Sequence, residues 1–496
     1  MMQRAGAAAA GEIALRFRDR LDSGVLVLAG PGNNGGDAWV VAAALATAGV
    51  RVRVVEPIAS KTADAQAEKT TALALLERVR APVEGVSTAL DHGEGLVVDG
   101  LLGTGSQGAP RGDIATTIDA ANAMRTRGAA IVALDVPSGV NASTGETDGV
   151  AIAADLTVTF ASVKRGHVVN RGLCGIVVVV DIGIQGETVD HSFPLLVDEH
   201  WVGLQLPAIP ATAHKGTRKK VAIVGGATGM AGACILTARA AQRSGAGMVK
   251  LVVAPGSLPI VQETEPHALA AAWPTDASSL DEEIVKWADV VVVGPGLGRG
   301  APSRDVLDLV LARWRGRTLL DADALTLFEG RADDLATALG GRPALLTPHA
   351  VEFARLVGSN AERVLATRFE AALDLARATS AVVLLKGVPT IITSPDGRRL
   401  VSAAGTPALA TGGSGDVLSG IAGTLLGQMD DPFAAAASAA WIHGRAAERV
   451  PSVGAGATRG TTLDDIVAEL RDAWVCDIRP SRYPVLAELP AVGAAR

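Results

Sequence analysis

The sequence predicts an α/β fold made of two successive units, each a mostly parallel sheet covered by helices. Three observations carry this expectation. Short runs of Val, Ile and Leu alternate with longer Ala-rich stretches along the chain, the pattern of strands joined by crossover helices. The alternation breaks at LQLPAIPATAHKG, residues 204–216, where Pro and small residues suit a connector, and then restarts. Glycine-rich segments directly follow several apolar runs, as loops at the carboxyl ends of parallel strands do. The expected domains are residues 1–205 and 206–496.

Taken in order, the opening MMQRAGAAAAGEIALRFRDRL reads as a helix. Its Ala run is short and Glu12 interrupts it before any cleavage signal, so it does not read as a targeting peptide. Strand candidates in the first unit are VLVLAG from Val25, VRVVE from Val52, LVVDGL from Leu96, IVALDV from Ile131, LTVTF from Leu156 and IVVVVDIG from Ile176. After the connector come VAIVGG from Val221, MVKLVVA from Met248, VVVVGPG from Val290, TLLDAD from Thr318, ALLTP from Ala344, VVLLKG from Val382 and TIITS from Thr390.

Composition narrows the function classes. Hydrophobic residues make up 48% of the chain and aromatics only 3%, so the interior must be built mainly from Ala, Val, Leu and Ile. A formal charge of −7, with no basic run interleaved with aromatics, argues against a nucleic-acid surface and leaves any phosphate to local dipoles. Cys174, Cys234 and Cys476 are odd in number, widely spaced and lack a CxxC pattern. They read as buried small apolar residues rather than a disulfide framework or zinc site. No segment has the length of uninterrupted apolar sequence needed to cross a bilayer, so no membrane partner is expected and the protein reads as cytoplasmic.

The first glycine loop admits two readings. Gly30, Gly32 and Gly35 satisfy GxGxxG after a strand and before a helix, with Glu56 about 20 residues later, as in a dinucleotide-binding dehydrogenase. Asp37 argues against that reading, because a carboxylate in the first turn of the helix would repel a pyrophosphate. Asn33 and Asn34 instead offer amide oxygens and N–H donors to a ligand and a cation. Two more loops end strands nearby in the fold: VVDGLLGTGSQGAPRG with Asp99, and ALDVPSGVNASTGE with Asp135 and Ser138. Asn34, Asp99 and Ser138 offer hard oxygen ligands to a hard cation, and Asp135 is left free as an acid or base.

GPGNNGGD, VDGLLGTG and DVPSG, in this order and spacing, resemble the NAD(P)H-hydrate epimerases over nearly all of the first domain. By that resemblance Asn33, Asn34, Gly35, Gly36 and Asp37 contact the hydrated nucleotide, while Asn34, Asp99 and Ser138 bind K⁺. Gly103, Thr104, Gly105, Ser106, Gln107, Gly108 and Ala109 contact the substrate again, and Asp135 contacts it and is the implied proton-transfer group. Ala38 stands where the family usually has glycine, and the family usually begins with a further helical segment ahead of MMQRAGAAAA.

In the second domain the most specific motif is GTPALATGGSGDVLSGIAGTLLG. Gly412, Gly413 and Gly415 supply backbone N–H groups ahead of a helix, an anion hole for a phosphoryl group, and Asp416 follows as a base for an attacking hydroxyl. Upstream, VLLKGVPTIITSPDG reads as a strand pair for an adenine nucleotide with Lys386 near its phosphates, and the chain has no GxxxxGK[ST] loop. The arrangement resembles the ribokinase-like fold.

HKGTRKKVAIVGGATGMAGACILTARAAQRSGAG, VVVGPGLGRG, LLDADAL and LLTPHAVEFARL together resemble the ADP-dependent NAD(P)H-hydrate dehydratases. By resemblance Ala233, Gly298, His349 and Asp416 contact the hydrate. Lys386, Gly387, Val388, Pro389 and Thr390 contact ADP, as do Thr406, Pro407, Ala408, Leu409, Ala410, Thr411, Gly412, Gly413, Ser414 and Gly415. His349 alone would read as structural or merely exposed; its place between Pro348 and Glu352 in the motif assigns it to substrate. Val351 stands where the family usually has glycine.

The implied whole is a Rossmann-like three-layer α/β/α domain followed by a ribokinase-like α/β domain. It would repair hydrated NADH and NADPH with K⁺ in the first domain and Mg²⁺ with ADP in the second, as a homo-oligomer. A vitamin or sugar kinase using the same anion hole, a nucleotide-sensing first domain, and a Rossmann dehydrogenase stand as alternatives.

Overall fold

Every apolar run named above forms a strand in the computed structural model, which describes residues 1–85, 90–184, 193–450, 459–479 and 481–492. The strands order into two sheets. In the first, the order is Val485–Leu489, Ile176–Val180, Leu156–Phe160, Ala130–Leu134, Leu96–Gly100, Val25–Ala29, Val52–Val55, Val83–Glu84. All neighbours are parallel except the pair made by Val485–Leu489 with Ile176–Val180. The order reverses direction between Val25–Ala29 and Leu96–Gly100, which opens a crevice at their carboxyl ends.

Both faces of this sheet are covered, which is why its strands are apolar throughout. Val25, Val27 and Ala29 pack in one core with Ile13, Trp39 and Val132, while Leu26 and Leu28 pack in another with Ile118, Ile131 and Met124. The opening segment is helical over Met2–Arg16, as expected, and buries Ala5, Ala9 and Ile13.

The second sheet runs Leu269–Ala272, Met248–Val253, Lys220–Gly225, Val290–Val293, Arg317–Leu320, Ala344–Leu346, Val382–Leu385, Thr390–Thr393, Arg399–Ser402, Leu195–Val197. It is parallel up to Val382–Leu385 and then turns through two antiparallel pairs. Its reversal lies between Lys220–Gly225 and Val290–Val293. Two long helices, Ser414–Gln428 and Pro432–Arg449, are buried along nearly their whole length, and their small residues permit close packing. Gly420 lies against Thr237 O, where an added Cβ would come within 2.2 Å. The core is indeed dominated by Ala, Val, Leu and Ile.

The division between units differs from the expected break at residue 205. One unit comprises Met1–Thr188 with Pro480–Arg496, and the other Val189–Arg479. Leu195–Val197 pairs in parallel with Arg399–Ser402 in the second sheet, which draws the segment before the Pro-rich connector into the second unit. Val485–Leu489 completes the first sheet instead of the second. Cys174 and Cys234 are buried as expected, whereas Cys476 is only half-buried; all three are free. No helix among the described residues is long and apolar enough to cross a membrane.

Two candidate active sites

In the first unit the strand reversal brings Asn34, Asp99 and Ser138 together. Asp99 closes the strand Leu96–Gly100 with its carboxylate fully buried, accepting Ser138 N–H at 2.8 Å, Ser138 Oγ–H at 2.7 Å and Leu101 N–H at 3.1 Å. Burial pushes this acid up to about 6 in spite of those donors. Asn34 donates its Nδ2 to Leu102 O at 2.7 Å and Leu134 O at 3.0 Å, and its Oδ1 is buried and accepts no hydrogen bond among the described residues. An orphaned carbonyl oxygen, a buried carboxylate and a hydroxyl are the donor set a hard cation requires. Gly103 lies against Asn34, its Cβ position 3.1 Å from Asn34 Cβ, and residues 104–109 continue as a mostly exposed loop.

Two expectations for this loop are corrected. The helix begins at Asn33, so Asn33 and Asn34 occupy its first turn and Asp37 falls beyond it. Asp37 is also pushed up to about 8, by burial first and by Asp135 and Glu68 next, so at neutral pH it presents no repelling charge. What disfavours a dinucleotide fingerprint is Glu56: its carboxylate, which that fingerprint would offer to a ribose, is engaged by Lys69 and by Ser60 N–H and Oγ–H. Gly30 and Gly35 serve packing. A Cβ on Gly30 would sit 1.8 Å from Leu101 O, and one on Gly35 would sit 1.9 Å from Gly30 O. Ala38 is accommodated because it faces Gly100, where a second Cβ would come within 2.5 Å. Asn33 Oδ1 accepts from Thr62 Oγ1 at 2.7 Å, and Gly36 packs beside the Met2 side chain.

Asp135 follows the strand Ala130–Leu134 with φ at +62°, a left-handed conformation uncommon outside glycine. Its Oδ1 accepts from Lys164 Nζ at 2.5 Å and Thr159 Oγ1 at 3.2 Å, and its carbonyl oxygen lies 2.8 Å from His167 Nε2. Lys164, Thr159 and His167 were not singled out from sequence.

In the second unit, Gly413 caps the helix Ser414–Gln428 with φ at +95°, and Asp416 is the helix's third residue. The N–H groups of Gly412, Gly413 and Gly415 donate to no group among the described residues, as expected of an open helix N-terminus. The Asp416 carboxylate likewise accepts no hydrogen bond among them. Burial first, and repulsion from Asp321 next, push it up to about 7. Asp321 is buried at the end of the strand Arg317–Leu320 and accepts from Lys386 Nζ at 2.8 Å and Ser419 Oγ at 2.7 Å. Burial pulls Lys386 down, but Asp321 and Glu352, the latter 3.8 Å away, outweigh it and keep Lys386 above its ordinary value. A Cβ on Gly415 would stand 3.1 Å from Lys386 Nζ, which places this cation beneath the glycine loop.

The remaining expected residues have the following local settings. Gly298, at φ +79°, donates its N–H to Asp323 Oδ2 at 2.9 Å. Ala233 lies in the first turn of the helix Ala231–Arg243, beside Gly296. His349 caps the helix Ala350–Val357, its Nδ1 accepting from Val351 and Glu352 N–H, with its ring half-exposed and its pKa lowered by burial. Val351 sits in regular helix, so no glycine conformation is required there. Val388–Pro389 is a cis peptide with Val388 exposed, Thr390 Oγ1 donates to Gly387 O, and Pro407–Leu409 forms a short 3-10 turn capped by Thr406. Asp321 was missed as a site residue although it lies in LLDADAL, where an acid ends an apolar run as Asp99 and Asp135 do.

Mostly parallel sheets with buried acids at the carboxyl ends of their strands, in the second unit beside an open glycine-capped helix, define a two-domain α/β enzyme of the phosphoryl-handling class. Comparison with known proteins makes this particular. Residues 221–470 match the NAD(P)H-hydrate dehydratase family, and residues 1–166 match the YjeF-related protein N-terminus family. The bifunctional NAD(P)H-hydrate repair enzyme Nnr of Moorella thermoacetica is 36% identical over 471 residues, covering 90% of this chain and 87% of its own. That of Escherichia coli K12 is 34% identical over 456 residues, covering 90% and 84%. Among solved structures, the ADP/ATP-dependent NAD(P)H-hydrate dehydratase of Bacillus subtilis, co-crystallised with ATP/Mg²⁺, aligns with a TM-score of 0.51 and 29% identity over 57% of this chain and 97% of its own. A ribokinase-like superfamily protein of Enterococcus faecalis aligns with a TM-score of 0.50 over 58% and 98%, at 22% identity, and shows the same fold. The chain belongs to the family of bifunctional NAD(P)H-hydrate repair enzymes.

Proposed function

We propose that the second unit dehydrates hydrated NADH and NADPH at the expense of ADP, and that the first unit interconverts the two epimers of the hydrate. The observation that carries this reading is the pairing of Asp416, raised to about 7 and unpartnered, with the open N–H groups of Gly412, Gly413 and Gly415. Hydration of the nicotinamide ring at C6 leaves a hydroxyl that departs poorly as hydroxide. Asp416 accepts the hydroxyl proton, and the oxygen attacks the terminal phosphorus of ADP, releasing AMP. The glycine amides and Lys386 stabilise the phosphoryl charge. The ring nitrogen's electron pair then expels phosphate, leaving an iminium between N1 and C6, and loss of the C5 proton to solvent forms the C5–C6 double bond and restores NAD(P)H. His349, Ala233 and Gly298 contact the hydrate, and the segments 386–390 and 406–415 contact the nucleotide.

Magnesium would arrive with the nucleotide, held chiefly by its phosphates, and neutralise their charge; the ATP/Mg²⁺ complex of the Bacillus subtilis relative supports this. In the first unit Asn34 Oδ1, Asp99 and Ser138 Oγ fit K⁺, whose charge would offset that of the buried carboxylate. Asp135 moves the proton of epimerisation, with the substrate against residues 33–37 and 103–109.

The reading is tested by supplying the purified chain with mixed hydrates and ADP. Complete recovery of the reduced cofactor is expected. A plateau at about half would show that the first unit does not exchange epimers. No recovery, or accumulation of a stable phosphorylated product as a kinase would give, would refute the reading.

A further inference from the structure

Lys164, Thr159 and His167 cluster around Asp135 in the first unit. The left-handed backbone of Asp135 is held from both sides: its N–H donates to Val158 O at 2.8 Å, and its carbonyl accepts from His167 Nε2 at 2.8 Å. His167 is fully buried, which pushes it down to about 4, so the ring is neutral and its Nδ1 accepts the N–H of Lys164 at 3.2 Å. One imidazole thus fixes the carbonyl of Asp135 and the backbone of Lys164 together. Lys164 Nζ directs its three N–H groups at Asp135 Oδ1, Thr159 Oγ1 at 2.7 Å and Phe160 O at 3.0 Å. Two donors converge on Oδ1, while Oδ2 accepts no hydrogen bond among the described residues.

We propose that Lys164, set in place by His167, is the positioning residue of the first unit: it immobilises Asp135 Oδ1 and leaves Oδ2 as the one oxygen that carries the proton of epimer exchange. The proposal rests on the reading of this unit as an epimerase. The hydrate's C6 carries both the hydroxyl and the ring nitrogen, which makes it a hemiaminal that can open. Oδ2 takes the hydroxyl proton, the C6–N bond breaks with its electron pair passing to nitrogen, and C6 becomes an aldehyde. The same proton passes from Oδ2 to that nitrogen, and Asp135 is again a carboxylate. The aldehyde turns its other face, and the reverse steps return the proton to oxygen and re-form the bond. No co-reactant is consumed, and the hydrogen on C6 never leaves.

The test is epimer exchange by the full chain with Lys164→Ala and Lys164→Met, the second preserving side-chain bulk, each checked for folding by its thermal unfolding curve. In a folded variant kcat falls by on the order of a hundredfold with KM little changed, because the lost element is orientation of a proton-transfer group. Ethylamine restores part of the rate to Lys164→Ala without affecting the parent, and Lys164→Arg retains part of it. Exchange run in deuterium oxide leaves no deuterium on C6. A folded variant as fast as the parent, a slow one unresponsive to ethylamine and to arginine, or deuterium on C6 overturns the proposal. If the unsubstituted chain does not exchange epimers while it dehydrates one of them, the epimerase reading itself fails instead.

Discussion

At the scale of the residue, the dehydration proposed for the second site turns on one carboxyl group. Asp416 is raised to about 7 by burial and by Asp321, and Lys386 pulls in the opposite direction. Its working form is the carboxylate, so ADP-dependent dehydration should rise with pH through about 7 and level off above it. The acid limb reports this group only if Asp416→Asn removes it. That substitution should lower the dehydration rate by on the order of a thousandfold while epimer exchange persists, measured on each activity separately. A pH profile flat from 5 to 8 would show that another group takes the proton. The acids of the candidate sites were legible from motifs, because Asp99, Asp135 and Asp416 each follow an apolar run or a glycine loop. The residues that tune them were not: Lys164, His167 and Ser419 act through tertiary contacts that no local spacing announces.

At the scale of the element, the glycine loops have two different physical duties. Gly412, Gly413 and Gly415 leave N–H groups open at a helix start, whereas Gly30 and Gly35 let a helix and two strand ends approach without room for a Cβ. The GxGxxG spacing was visible in the sequence, but spacing alone does not separate a phosphate cradle from a packing joint. Gly30→Ala would place its methyl 1.8 Å from Leu101 O, a backbone atom that cannot step aside as a flexible side chain can. It should destabilise the first unit by at least ~1–3 kcal/mol, read as a lowered unfolding midpoint, with loss of epimer exchange. Retention of both would show that the crevice tolerates a wider helix–strand separation. Asp37 illustrates the limit of charge reasoning from sequence, since burial changes its protonation and with it the sign of the argument.

At the scale of the whole molecule, the chain's apolar runs announced nearly all of both sheets, because strands buried on two faces must be apolar throughout. What escaped were short strands with weak patterns: Val83–Glu84, Leu195–Val197, Leu269–Ala272, Arg399–Ser402 and Val485–Leu489. Leu195–Val197 and Val485–Leu489 have only a few residues of local signal and form because a sheet edge is there to receive them. They moved the division between units away from the Pro-rich connector. Each unit gathers acids at the carboxyl ends of its own parallel strands, which gives one chain two separate sites.

The central claim is that a hydroxyl is made able to leave by becoming a phosphate ester beside Asp416. Its most direct measurement uses the S hydrate with isotopically heavy oxygen in the C6 hydroxyl, incubated with the purified chain and ADP. The heavy oxygen should appear in the inorganic phosphate, with one AMP formed for each reduced cofactor recovered; heavy oxygen released as water would contradict the account.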